Sequence, residues 1–402
     1  MKPGILFDKR TAILALCLLF SFSSLAFAPM GLDVEYKQIV VDYNFNESVT
    51  FEALFNPLSL LNQVSRIDIQ ITAGDQTMLV ESLPVQADGK VQTTLDISQA
   101  RWQPFSTVTF KYQTVFTNGS TQWSETYSFR YDDNRLEWKQ LSSPPFQIYW
   151  DSEDSQMGQL LLKTAQAGLQ SAREYTGAVL PGEIRIAAYS DPEYLRTALQ
   201  LEEIDLVAGH ADPQNGVILV STVPGPGLEL ELERQLPHEL SHILVHQMSG
   251  ENFNRLPVWL VEGIATISEL YPNSDYQRIL NAAASGGGLL PMESLCDTFP
   301  DNPTAAYLAY AQSGSFVNFL YKKFGTSGLD ALVTAYGDGL SCTSGLETTY
   351  GETFSELEYN WQQEMLGIDS GKLVFSNLSP YLTILFALIL LPVAPFLVLR
   401  KR

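Results

Sequence analysis

The sequence predicts a multi-domain chain: an N-terminal all-β sandwich, then an α+β domain, with an uncharged apolar run near each end. Length is the first observation behind this, because 402 residues exceed one ordinary domain. The second is a change of pattern near residue 136, where short alternating segments give way to helical spacing. The third is that both apolar runs are bounded by basic residues. Hydrophobic residues make up 45% and charged residues 17%, which excludes a disordered or collagen-like chain. A net charge of −21 excludes DNA or RNA as a partner, since phosphate binding needs clustered Lys and Arg.

The ends place the chain. Residues 1–28 have the layout of a secretory signal peptide: Lys2, Lys9 and Arg10 precede an apolar run from Thr11 to Ala28. Ser24-Leu25-Ala26 offers small residues where a signal peptidase reads, and Ala26-Phe27-Ala28 is disfavoured by Pro29. Leu16 before Cys17 is not the small residue of a lipoprotein signal, so no lipid anchor is read; an uncleaved anchor helix is the alternative. After a linker over 371–380, Tyr381 to Leu399 is an uncharged run close to the ~20 residues that span a membrane as a helix. Pro392 and Pro395 are kinks that a membrane helix tolerates. Arg400-Lys401-Arg402 reads as a cytoplasmic tail. A cleaved sorting tail is the alternative. The body is therefore expected outside the cytoplasm, tethered by a C-terminal transmembrane helix. Cys296 and Cys342 both lie in that body, where an oxidising compartment would allow them to pair if geometry permits.

Four strands are readable in the first domain, taken as 31–136: Ser48–Leu54, Ile67–Ile71, Val91–Leu95 and Thr107–Tyr112. Ile67, Ile69 and Ile71 alternate with Asp68 and Gln70, the clearest half-buried strand. Asp88-Gly89 and Asn118-Gly119 are turn signals. The set predicts an immunoglobulin-like or fibronectin-like sandwich. No residues here converge into a catalytic constellation. The expected role is a spacer or binding module whose deletion leaves metal binding intact.

Ser142-Ser143-Pro144-Pro145 reads as a hinge into the second domain, taken as 137–370. Ser155 to Thr176 has helical spacing and stops at Gly177. Ile184–Tyr189 and Gly216–Val223 read as strands, and Asp191-Pro192 as a capped helix start. No internal repeat is present.

The chemistry is carried by Leu236-Pro237-His238-Glu239-Leu240-Ser241-His242-Ile243-Leu244. Four residues apart on a helix, His238 and His242 share one face and can reach one zinc ion. Glu239 then stands beside the remaining coordination position, as a base for the attacking water and a proton donor to the leaving amine. With four histidines in the chain, a chance His-Glu-x-x-His is expected about 0.002 times. Leu236, Leu240, Ile243 and Leu244 give that helix a core face, and Pro237 either starts or kinks it. The next signal is Leu256-Pro257-Val258-Trp259-Leu260-Val261-Glu262-Gly263-Ile264-Ala265. Pro257 suits the first turn of a second helix, Glu262 would be the third zinc ligand, and Gly263 would let the two helices approach closely.

These blocks resemble the gluzincin metallopeptidases of the peptidase MA-like group. The match lies in His238-Glu239-x-x-His242 and in Trp259-Leu260-x-Glu262-Gly263-x-Ala265 with Glu269 seven positions on, a block like that of aminopeptidase N-like enzymes. The resemblance implies a zincin-like domain over about 140–367. It implies Zn2+ held by His238, His242 and Glu262, Glu239 as general base, and a peptide or protein substrate. It also implies a tyrosine stabilising the oxyanion; Tyr310, opening a helix to Gly325, is the best match. The Gly-x-Met-Glu-Asn motif of the aminopeptidases is absent, Ala208-Gly209-His210-Ala211-Asp212 standing in its place. In this fold class the Gly216–Val223 strand would be the sheet edge that pairs with an extended peptide. His246 lies eight residues from His238, about 80° round the helix, and is a poorer third ligand than Glu262; His210 belongs to the cleft wall or the surface. The expected function is a membrane-anchored, extracytoplasmic zinc metallopeptidase. The rivals are a zinc-stabilised adhesion or binding protein and a zinc hydrolase of another class.

Overall fold

The computed structural model describes residues 33–179, 182–201 and 209–368, with Tyr381 and Ile384. The expected signal peptide lies outside the described residues, as does the expected span apart from those two. Among the described residues no helix is long and apolar enough to cross a membrane.

The first part is a β-sandwich. Its strands are β1 (Glu35–Asn44), β2 (Ser48–Asn56), β3 (Val64–Ala73), β4 (Gln76–Val80), β5 (Lys90–Asp96), β6 (Ser106–Phe116), β7 (Thr121–Trp123) and β8 (Tyr127–Tyr131). One sheet has the order β1-β2-β5 and the other β4-β3-β6, with β7 and β8 pairing successive lengths of β6. Period-two patterning builds the interior: Val108, Phe110 and Tyr112 of β6 are buried, and Phe110 meets Phe51 of β2 across the two sheets at 4.8 Å. The four strands read from sequence are β2, β3, β5 and β6.

The second part opens with β9 (Lys139–Ser143) and β10 (Phe146–Trp150), followed by α1 (Met157–Thr176), β11 (Ile184–Tyr189), α2 (Pro192–Ala198), β12 (Gly209–Asp212) and β13 (Val217–Ser221). Then come α3 (Leu228–Ser249), α4 (Val258–Ser268), α5 (Ser274–Gly286), α6 (Pro303–Gly337), α7 (Cys342–Tyr350) and α8 (Phe354–Leu366). The five strands run in the order β12-β13-β11-β10-β9, parallel in the middle three and antiparallel at both ends.

Two expectations are corrected here. Pro144-Pro145 is not an inter-domain hinge but the reversal between β9 and β10, where Ser143 pairs with Phe146. Two residues without N–H groups fit a tight turn, where no ladder donor is needed. The sheet edge is β12, not the strand at Gly216–Val223, because β13 lies between β12 and β11. The residues explain this: Val217-Ile218-Leu219-Val220 is fully buried, the signature of an interior strand, whereas all four residues of β12 are half-buried.

The sandwich is not a detachable module either. One face of the five-stranded sheet, with Ile148, Ile186 and Ile218, packs on α1 and α3. The other face puts Tyr149, Ala187, Tyr189, Val217 and Leu219 into the same apolar core as the sandwich strands. Polar ties cross this seam: the Arg185 guanidinium donates to the Phe105 carbonyl, and Tyr189 Oη donates to Asp133 Oδ2 at 3.3 Å. Deleting the sandwich would expose that apolar face.

Helices α4, α6, α7 and α8 enclose a separate core around Trp259, Phe316 and Trp361. Cys296 and Cys342 are disulfide-bonded at its edge, and Trp259 Nε1 donates to Cys342 Sγ at 3.3 Å.

Candidate metal centre

Helix α3 carries His238, Glu239 and His242. Its apolar stripe, including Leu232, Leu236, Leu240 and Ile243, is buried against the sheet and α1, so the opposite face is turned to α4. The helix begins at Leu228, so Pro237 stands within it rather than at its start. Helix α4 follows Pro257 and brings Glu262 to face both histidines. Gly263 allows a close approach, but to α6 and not to α3: a Cβ there would lie 2.7 Å from the Ser313 carbonyl oxygen and 2.4 Å from Val317 Cγ2. Backbone contact on one side of α4 thus sets how far Glu262 reaches on the other.

The structure brings His238, His242 and Glu262 together with one donor atom each, all within 4.8 Å of one another. Glu262 Oε2 is 3.3 Å from His238 Nε2 and 4.0 Å from His242 Nε2. Ligands ~2.1 Å from a tetrahedral zinc stand roughly 3.4 Å apart, so these spacings fit one ion with little movement. Among the described residues only these three contribute to the group, which leaves a fourth tetrahedral position open.

Glu269 completes the surroundings. Its Oε1 lies 3.5 Å from His238 Nδ1, so His238 is held by carboxylates at both ring nitrogens. In sequence Glu269 stands out only as part of a motif; its spacing of seven from Glu262, two turns on the same helix side, is the signal for this contact. Glu239 is buried beside the edge strand. A Cβ on Gly209 would lie 2.9 Å from Glu239 Oε1, and the Ala211 N–H donates to its carboxylate. The segment that replaces the aminopeptidase motif therefore lies against the expected base.

Tyr310 sits in the third turn of α6, which starts at Pro303 behind the Asn302 cap and runs past a break at Gly325 to Gly337. It does not open that helix as expected. Its ring is 6.3 Å from that of His238 and edge-on to Phe299 at 4.9 Å. His246 lies outside the cluster, its ring 5.6 Å from that of Phe253 and tilted to it. His210 is on β12, half-buried, and is not part of the cluster either.

The charges of the cluster act strongly on one another. Without an ion, burial opposes the charged form of His238, but its bonds to Glu262 and Glu269 prevail and push it up to about 10. Burial dominates at His242 and pushes it down to about 4. Burial raises Glu239 to about 7, helped by the charge of Glu262 and opposed by His238. Burial also acts on Glu262, yet His242 and His238 hold it below its ordinary value. Burial first, then the charges of Glu262 and Glu239, pushes the Tyr310 hydroxyl up, so it stays a protonated donor at neutral pH.

A β-sandwich joined to an α+β domain, with two imidazoles and a carboxylate converging beside a buried glutamate, defines the class: a metallopeptidase-like protein. A family model described as the peptidase MA superfamily matches residues 164–367, just over half of the chain. The chain belongs to the peptidase MA superfamily. Among solved structures it is similar to Legionella pneumophila aminopeptidase A in complex with aspartic acid, at 10% identity and a TM-score of 0.37. That alignment covers 82% of this chain and 48% of the Legionella chain, so this chain spans about half the length of that enzyme. It is also similar to an M1 zinc metallopeptidase from Deinococcus radiodurans, at 11% identity and a TM-score of 0.29, covering 79% of this chain and 88% of the other. A polysaccharide deacetylase from Bacillus cereus matches 43% of this chain and 58% of its own, at 10% identity and a TM-score of 0.21. No curated protein matches the chain.

Proposed function

We propose that this chain is a zinc-dependent metallopeptidase, anchored in a membrane with its body outside the cytoplasm. The observation that carries the reading is the convergence of His238, His242 and Glu262 within 4.8 Å beside the buried Glu239, in a chain of the peptidase MA superfamily. Two neutral imidazoles and a carboxylate are the donor set zinc takes in open catalytic sites. A zinc ion held there would supply a Lewis acid and make water a competent nucleophile at neutral pH.

The chain's own residues supply the rest. Glu239, lifted toward neutrality by burial, accepts the proton of the attacking water and returns it to the leaving amine. The Ala211 N–H fixes its carboxylate beside the edge strand. Tyr310 offers a hydroxyl that remains protonated and can donate to developing negative charge. Among the described residues β12 is an edge strand, and apart from the Ala211 N–H that Glu239 engages it would offer backbone donors and acceptors to an extended peptide. The apolar runs near the termini and the Cys296–Cys342 disulfide support an exported, tethered body. A structural zinc site would be closed by four protein ligands, and the three-residue cluster favours the catalytic reading over a zinc-stabilised scaffold. The test is zinc stoichiometry on the full chain: one ion per wild-type chain and none in a His238→Ala/His242→Ala variant. Equal zinc in both would refute the site.

A further inference from the structure

Pro237 stands in the interior of α3, where a proline ordinarily costs about 3 kcal/mol. It has no N–H to give the Glu233 carbonyl four residues earlier. That carbonyl is nevertheless paired, because it accepts the N–H of Leu270 at 2.9 Å. Leu270 follows Glu269, the residue that caps the C-terminus of α4, and Glu269 meets His238 Nδ1 at 3.5 Å. His238 in turn follows Pro237. The segment Glu269-Leu270 therefore docks on α3 twice, by its backbone at the acceptor the proline vacates and by its side chain at the adjacent ligand. A third contact lies alongside, with the Arg234 guanidinium 5.6 Å from the centre of the Tyr271 ring. The ring of Pro237 is accommodated because Gly168 of α1 has no Cβ; one built there would lie 2.9 Å from Pro237 Cγ.

We propose that Pro237 is a positioning residue: by vacating the Glu233 carbonyl it creates the acceptor that pins Glu269-Leu270 to α3. Glu269 is thereby held on His238 Nδ1, which fixes the ring so that Nε2 faces Glu262, where the two would hold a zinc ion. The proposal rests on the reading of His238 as a zinc ligand. A carboxylate on the non-ligating nitrogen sets the tautomer and orientation of a metal-binding histidine. The device makes this depend on a backbone bond that an ordinary α-helix would not offer, since its interior carbonyls are already taken.

Three variants of the full chain test it, read by zinc affinity in competition with a chromophoric chelator and by circular dichroism for the fold. Pro237→Ala restores a competing donor inside α3. Leu270→Pro removes the opposite donor without touching α3, and Glu269 already has the extended backbone (ψ 133°) that a residue before proline prefers. Glu269→Gln removes the carboxylate. Each is expected to weaken zinc binding roughly 10- to 100-fold. The Pro237→Ala/Glu269→Gln double variant is expected to bind no more weakly than Glu269→Gln alone, because both act through one contact. Additive losses in the double variant, or wild-type affinity in Leu270→Pro, would overturn the proposal. If Pro237→Ala fails to fold, Leu270→Pro with its own Glu269→Gln double carries the same test. Failure of the underlying reading looks different: wild type would then take no zinc, or His238→Ala would keep wild-type affinity, and the proposal would fall with it.

Discussion

Replacing Glu239 by glutamine should stabilise the metal-free protein, by a margin that grows from about pH 4.5 and is full above about pH 7. The Glu239 carboxyl is buried and held at about 7 against an ordinary 4.5, chiefly by desolvation. Below about pH 4.5 it is protonated in both the folded and unfolded chains and favours neither pH-dependently. Between 4.5 and 7 the folded chain holds a proton that the unfolded chain has released, so stability falls as pH rises. Above 7 the loss is complete. At about 1.4 kcal/mol for each tenfold change, a rise from 4.5 to 7 corresponds to ~3 kcal/mol. Gln has the same shape, carries no charge and still accepts from the Ala211 N–H. Denaturant unfolding of chelator-stripped wild type and Glu239→Gln at pH 4.5, 6 and 8 would measure this. The variant should exceed wild type by up to ~3 kcal/mol at pH 8 and match it at pH 4.5. Saturating zinc should shrink the gap, since a dication beside the carboxylate offsets its burial. A difference of the same size at every pH, or a less stable variant at pH 8, would refute the reasoning.

Gly209→Ala should displace the Glu239 carboxylate by a few tenths of an ångström, because its Cβ would lie 2.9 Å from Oε1. Cleavage should fall about tenfold with zinc stoichiometry unchanged, as peptide-cleavage and metal assays on the same preparation would show. Tyr189→Ala, at the seam between the sheet and the sandwich, should cost about 3–5 kcal/mol in thermal or denaturant unfolding, since that ring is fully buried. A near-neutral effect would restore the picture of an independent sandwich. Reducing the Cys296–Cys342 bridge, which closes a separation of 46 residues, should remove up to about 4 kcal/mol, seen as a lower melting temperature in reductant.

The site was legible where chemistry repeats at helical spacing. His238, Glu239 and His242 lie within one turn or so of α3, and Glu262 follows in a second helix whose packing on α3 brings it to both histidines. The sandwich strands that were found are those with strict alternation, such as Ile67-Asp68-Ile69-Gln70-Ile71. What sequence did not yield depends on neighbours distant in the chain. The edge role of Gly209–Asp212 rests on β13 being covered on both sides, which is a topological fact. Gly263 was assigned to the wrong partner because its lack of a side chain says that something comes close, not what. The joint core of sandwich and sheet hides in β11, where Ile184, Ile186 and Ala188 face α1 and α3 while Ala187 and Tyr189 face the sandwich. The pairing of Glu233 with Leu270 is a backbone contact and leaves no mark in side-chain pattern beyond Pro237 itself.

The most direct test of the central claim uses the full chain, as wild type and as Glu239→Gln. Bound zinc would be quantified alongside chelator-sensitive cleavage of a mixed peptide library. The account predicts one zinc per chain in both, with cleavage in wild type and none in the variant. Cleavage that persists in Glu239→Gln, or a wild type that binds no zinc, would contradict it.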